Sequence, residues 1–172
     1  VEEEIAAIEN ETAQEVENES IFMKKYRKPL LLAFFIAFFN QLSGINAFLY
    51  YAPRIFELAG LEKSASFLSS IGIGIINLLF TLIVISLIDK YGRKTLMYLG
   101  SVGYIISLGL VTAAFYYEWK GIAVPVFFFL FIASHAIGQG AVIWVFISEL
   151  FPNKLRAAGT SFGTSVHWIL AA

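Results

Sequence analysis

The chain has 172 residues, 58% of them hydrophobic and 16% aromatic with 17 Phe, against only 15% charged, and its mean hydropathy is +0.73. A soluble core of this length cannot hide so much apolar surface, which excludes an ordinary soluble domain. The net charge of −1 conceals a sorting by position, because residues 1–20 hold eight Glu and no Lys or Arg, so most of the 13 acidic side chains lie before all of the 12 basic ones.

Residues 1–23 are acidic and polar, unlike a signal peptide. Ile5, Ile8, Thr12 and Val16 fall roughly on one helical stripe, so the segment reads either as a short, loosely packed cytoplasmic helix or as a solvated acidic linker. Four stretches then reach the ~20 apolar residues that a membrane span needs, at about 29–51, 65–88, 96–117 and 122–150. A fifth begins near Ala157 and is still running at Ala172, so the chain is expected to be part of something longer. The connections at 56–64, 89–95, 118–121 and 151–156 are short enough to force neighbouring spans antiparallel, giving an all-α, polytopic transmembrane helical bundle. Nine of the twelve basic residues lie on one side of it: Lys24, Lys25, Arg27, Lys28, Lys90, Arg93, Lys94, Lys154 and Arg156. The positive-inside rule puts that side, and residues 1–28, in the cytoplasm. No cysteine is present, so there is no disulfide framework and no thiolate metal site.

The spans carry polar groups that hydrocarbon disfavours. The first reads Asn40-Gln41-Leu42-Ser43-Gly44-Ile45-Asn46 and continues to Tyr50-Tyr51. An amide at mid-membrane depth costs on the order of 2–7 kcal/mol unless protein, water or ligand satisfies it. Uncharged amides and a tyrosine pair suit a neutral, hydroxyl-rich solute. At ~100° per residue, Gln41 and Asn46 point about 140° apart on an ideal helix, so a straight helix aims only one of them at a ligand. Gly44 lies between them, and a break there is expected. The plainer reading, close helix packing by Ser43 and Gly44, leaves the amides unexplained.

In span two, Ser66, Ser70, Gly74, Asn77 and Thr81 fall within a sector of about 80° and predict a small, polar stripe turned inward. Such a stripe is ordinarily a helix contact, and Asn77 is its largest polar group. In span four, Gly138, Gly140 and Trp144 follow an aromatic run, and Trp144 sits away from the interfacial belts. An indole there either packs against the glycines or stacks on a sugar ring and donates one hydrogen bond. His135 and Gln139, at i and i+4, read as a mutually bonded pair or as a proton relay. Asp89 and Glu149 lie at the basic edge beside Arg93 and Arg156, either as a latch on the cytoplasmic ends or as topology signals.

Three motifs stand in fixed order: Gln41-Leu-Ser-Gly-Ile-Asn46 with Tyr50-Tyr51, then Asp89-x-x-Gly92-Arg93-Lys94, then Trp144-x-x-x-Ser148-Glu149-Leu-Phe-Pro152-x-x-x-Arg156. From Ile21 onward the chain resembles the sugar porter family of the major facilitator superfamily. The resemblance implies the C-terminal half, helices seven to ten and the start of eleven, with residues 1–23 as the linker between halves and 24–172 as a partial C-terminal transmembrane domain. It implies sugar contacts at Asn40, Gln41, Asn46, Asn77, Trp144 and Trp168, an extracellular gate at Tyr50 and Tyr51, and a cytoplasmic charge network of Asp89, Arg93, Glu149 and Arg156. Three departures stand out, one being Ala136, which lacks the acid that some facilitative members carry. Asn40 occupies a place where family members commonly have glutamine, and Gln139, Ala141 and Ile143 fill a stretch where they often have prolines, so helix ten is expected to bend less or at Gly138 and Gly140.

The expected function is therefore transport of a monosaccharide, hexose or pentose, by alternating access, facilitative or proton-coupled, in the cell membrane. A non-transporting membrane sugar sensor of the same fold is the alternative. The spans lack a carboxylate pair, a metal cluster and a nucleophile with its base, so an enzyme is not expected. Neither is a channel, because charged selectivity rings are missing. The expected partners are a small-molecule sugar, the missing N-terminal half of the same polypeptide and membrane lipid, with no cofactor, metal or nucleic acid.

Overall fold

The computed structural model describes residues 20–171, so the helix or linker expected over most of 1–23 lies largely outside the described residues. All regular structure among the described residues is helical. After a short 3-10 turn at Lys24–Tyr26, helix α1 runs Arg27–Leu42 and α2 Ile45–Leu58. Then come α3, Lys63–Tyr91; α4, Arg93–Tyr116; α5, Ala123–His135; a π-helical turn, Ala136–Gly140; and α6, Val142–Glu149. A 3-10 turn at Asn153–Leu155 leads into α7, Arg156–Ala171. Among the described residues, four helical stretches are long and apolar enough to cross a membrane: Lys24–Leu58, Lys63–Tyr91, Arg93–Tyr116 and Ala123–Glu149. Each overlaps an expected span.

Two of the four stretches are interrupted. The first breaks at Gly44, whose φ of +77° and ψ of 13° are left-handed, a conformation that glycine adopts without steric penalty. The fourth widens into the π-turn at Ala136–Gly140, which contains Gly138 and Gly140. The join between α3 and α4 is tighter than expected. One residue, Gly92, with φ of 78° and ψ of 153°, separates them, and that region of backbone space is essentially glycine's alone.

The chain divides into two compact units. Phe39–Phe146 forms one, and the described residues up to Phe38 together with Ile147–Leu170 form the other. In the first, α4 packs along α5 and the π-turn, while α3 packs against α2 and α5. Its core is aromatic: Phe56, Phe128 and Phe131 are buried with Ile73, Val111, Ala114 and Ile132. Phe48 meets Phe128 and Phe131 edge-on at 5.0 Å, an arrangement favoured by the ring quadrupoles. A second cluster joins Val84, Ile88, Leu96 and Val142. Small residues let backbones approach. A Cβ built on Gly100 would lie 2.5 Å from the Gly138 Cα and 2.7 Å from the Ser134 carbonyl oxygen, so α4 and the π-turn meet backbone to backbone. In the other unit, the Phe151 ring lies on Gly159, Ile147 packs over Gly163, and Phe22 meets Phe162 edge-on at 6.3 Å.

Candidate functional site

The break at Gly44 satisfies its own backbone locally, as irregular chain at membrane depth must. The Asn40 carbonyl accepts both the Ser43 N–H at 3.2 Å and the Ser43 hydroxyl at 2.5 Å, and the Gln41 carbonyl accepts the Gly44 N–H at 3.0 Å. The Gly44 carbonyl then accepts from Phe48 at 3.0 Å and starts the next run. Across the break, side chains that an uninterrupted helix would separate come together, since Asn46 Nδ2 donates to Gln41 Oε1 at 3.4 Å. Both side chains are half-buried. A contact of that length is weak, so a ligand hydroxyl can replace it at small cost.

Asn40 points elsewhere. It is only 4% exposed, and its Nδ2 donates to the backbone carbonyl of Gln139, in the π-turn, at 3.0 Å. The Gln139 side chain in turn donates from Nε2 to Ser101 Oγ on α4 at 2.8 Å. This corrects the expected pairing of His135 with Gln139, because the π-turn breaks the i, i+4 register on which that pairing depended and directs the Gln139 amide to Ser101. Ser101 carried no signal in the sequence, and the Gln139 carbonyl, being backbone, had none to carry.

Along α3 the polar stripe is not uniformly inward. Ser66 is fully buried and its carbonyl accepts the Ser70 hydroxyl at 2.9 Å, but Gly74 and Asn77 are exposed, with nothing within 4 Å of a Cβ built at Gly74. The expectation of an inward stripe is therefore corrected: Ser66 is buried and Ser70 and Thr81 half-buried, but the middle of the sector, Gly74 and Asn77, is uncovered. Asn77 is left presenting its amide on an open face. Trp144 is half-buried on α6, and Tyr50 and Tyr51 are exposed on α2. Trp168, on α7, is exposed and meets the His167 ring edge-on at 5.4 Å.

Of the four charged residues, Asp89 is exposed in the last turn of α3 and Arg93 is half-buried at the start of α4. Glu149 is exposed at the end of α6. Arg156 is exposed at the start of α7, where it edges an open hollow of about 630 Å³ whose other walls include Ser148, Thr160, Ser161, Thr164 and Ser165. Among the described residues, no group of His, Asp and Glu is placed to hold a metal ion.

Two amides meet at a mid-span break, an indole lies beyond a π-turn and charges stand at helix ends. Residues 1–172 match the family described as "Sugar (and other) transporter". The chain belongs to this sugar porter family of the major facilitator superfamily. Family membership and the four long apolar stretches make it a multi-pass integral membrane protein. It is 38% identical over 149 residues to the arabinose-proton symporter of Bacillus subtilis, a match covering 86% of this chain and 32% of that protein. It is 34% identical over 134 residues to the glucose facilitated diffusion protein of Zymomonas mobilis, covering 78% and 28%. A crystal structure of a D-xylose-proton symporter superposes with a TM-score of 0.80 at 31% identity, covering 95% of this chain and 38% of that one. These relatives are transporters rather than enzymes. The chain spans about a third of the length of the curated relatives it matches.

Proposed function

We propose that the protein carrying this chain transports a monosaccharide, pentose or hexose, by alternating access, and that the chain supplies part of its C-terminal half. The observation that carries this reading is the break at Gly44, which turns the Gln41 and Asn46 amides toward each other midway along an apolar stretch. Two neutral amides that share one weak bond offer donors and acceptors to hydroxyls without charge. The printed names of the relatives, sugar symporters and a sugar facilitator, support the same substrate class.

In this proposal Gln41, Asn46 and Asn77 hydrogen-bond sugar hydroxyls, and Trp144 and Trp168 contribute their indoles. Tyr50 and Tyr51, exposed on the outer helix of the broken span, close the extracellular path. Asp89, Arg93, Glu149 and Arg156 fasten the cytoplasmic ends while the outer path is open. Residues 1–23 link the two halves on the cytoplasmic side, the N-terminal half of the polypeptide completes the site, and lipid of the cell membrane covers the exposed apolar faces. Relatives of both kinds, proton-coupled and facilitative, leave both coupling modes within the proposal.

Uptake of labelled pentoses and hexoses by proteoliposomes holding the full-length protein, with and without an imposed proton gradient, tests it. Saturable uptake of one sugar is expected, and its response to the gradient separates symport from facilitated diffusion. Measurable sugar binding with no uptake of any sugar would overturn transport in favour of a sensor.

A further inference from the structure

The π-turn at Ala136–Gly140 adds about one residue to a helical turn, which rotates everything after it by roughly 100° relative to an uninterrupted α-helix. Trp144 lies four residues beyond the turn, so its azimuth around the fourth span depends on whether the turn keeps its width. Three features hold it. Gly138 is pressed backbone to backbone on Gly100, the Gln139 side chain is tied to Ser101 Oγ at 2.8 Å, and the Gln139 carbonyl accepts from Asn40 Nδ2 at 3.0 Å. The third is the only one of these that comes from the broken first span, where Asn40 stands four residues before Gly44. Asn40 is 4% exposed, and its other amide atom, Oδ1, has no hydrogen-bond partner among the described residues. The side chain is thus buried and oriented through its donor alone, toward the π-turn.

We infer that Asn40 is a positioning residue: it clamps the π-turn through the Gln139 carbonyl, and with Ser101 on the opposite anchor it sets the orientation of Trp144. This role differs from the direct sugar contact that family resemblance implies for Asn40. Its functional part rests on the transport reading, but its structural part does not.

The structural part is read in the full-length protein labelled with 5-fluorotryptophan, by ¹⁹F NMR, with the Trp144 resonance assigned from Trp144→Phe. Asn40→Leu keeps the size of the side chain and removes the donor. It is expected to shift or broaden the Trp144 signal while leaving those of Trp119 and Trp168 in place. Ser101→Ala, which releases the other anchor with Asn40 intact, is expected to move the same signal and keeps the test available if Asn40→Leu does not fold. A Trp144 resonance unchanged in either folded variant would overturn the inference, whether or not the protein takes up sugar.

The functional part is a double-mutant cycle on the affinity for the sugar returned by the uptake panel, with D-xylose and L-arabinose as the first probes. Asn40→Leu is expected to weaken binding about tenfold beside Trp144 and less than about twofold in the Trp144→Phe background. Equal losses in the two backgrounds would show that Asn40 acts independently of Trp144 and would sink its positioning role.

Discussion

Asn46 Nδ2 lies 3.4 Å from Gln41 Oε1 although an ideal helix would point the two side chains about 140° apart. The break at Gly44 accounts for the difference. The pair meets across the interruption, where α1 ends at Leu42 and α2 begins at Ile45. Sequence spacing alone would have assigned these amides to different neighbours.

If this pair receives sugar hydroxyls, Gln41→Ala removes one partner and leaves a hydroxyl and the Asn46 amide unsatisfied. The expected loss in affinity is about 1–3 kcal/mol, read from equilibrium sugar binding to the full-length protein. Binding that stays unchanged would take Gln41 out of the site.

The backbone at Gly44 can be tested apart from its neighbours. A Cβ there would meet only the Phe48 ring, at 3.6 Å, which is ordinary contact, so a side chain is disfavoured by the φ of +77° and not by crowding. Gly44→Ala should therefore destabilise by about 1–2 kcal/mol, the usual penalty for an L-residue in left-handed space, and should slow uptake. Gly44→Asn, whose side chain tolerates that conformation, should retain more of both. Thermal unfolding in detergent beside proteoliposome uptake makes the comparison, and equal behaviour of the two variants would deny that the left-handed residue matters.

Much of the architecture was legible because hydrocarbon imposes a length and a composition on every span, and the four apolar stretches met both conditions. The break at Gly44 was legible because a glycine between two amides has few other uses at that depth. The bond from Asn40 to Gln139 was not, since its acceptor is a carbonyl and every residue type carries one. Its donor is Asn40 and its acceptor the Gln139 carbonyl, two positions that the sequence singled out for other reasons and that no spacing rule connects. On α3 the periodicity identified the polar sector, but periodicity gives direction without saying what lies there. Ser66 is buried, whereas Gly74 and Asn77 are exposed.

The approach of α4 to the π-turn yields a stability prediction with an internal control. Gly100→Ala would place a methyl group 2.5 Å from the Gly138 Cα and 2.7 Å from the Ser134 carbonyl oxygen, both backbone atoms that cannot rotate away. A loss of about 1–3 kcal/mol or more is expected from such overpacking. Gly109, in the same helix, has nothing within 4 Å of a built Cβ, so Gly109→Ala should leave the thermal midpoint nearly unchanged. Equal midpoints for the two variants would mean that the helices separate at little cost.

The two acids at the basic edge give the last prediction. Asp89 falls in the final turn of α3 and Glu149 is the last residue of α6, whose final turn contains no basic residue. A carboxylate at a helix C-terminus faces the negative end of the macrodipole and is disfavoured there by about 0.3–1 kcal/mol at an exposed position. The charge of Glu149 is therefore not explained by the helix dipole, and the proposed cytoplasmic latch gives it a role. Glu149→Gln keeps the shape and removes the charge, so sugar affinity should hold within about twofold while the maximal uptake rate falls several-fold, because a latch alters the equilibrium between states more than the contacts to the ligand. Paired measurements of equilibrium binding and initial uptake rate distinguish the two effects. Normal kinetics in the variant would reduce Glu149 to a marker of topology, whereas a loss of affinity alone would move it from the gate to the site.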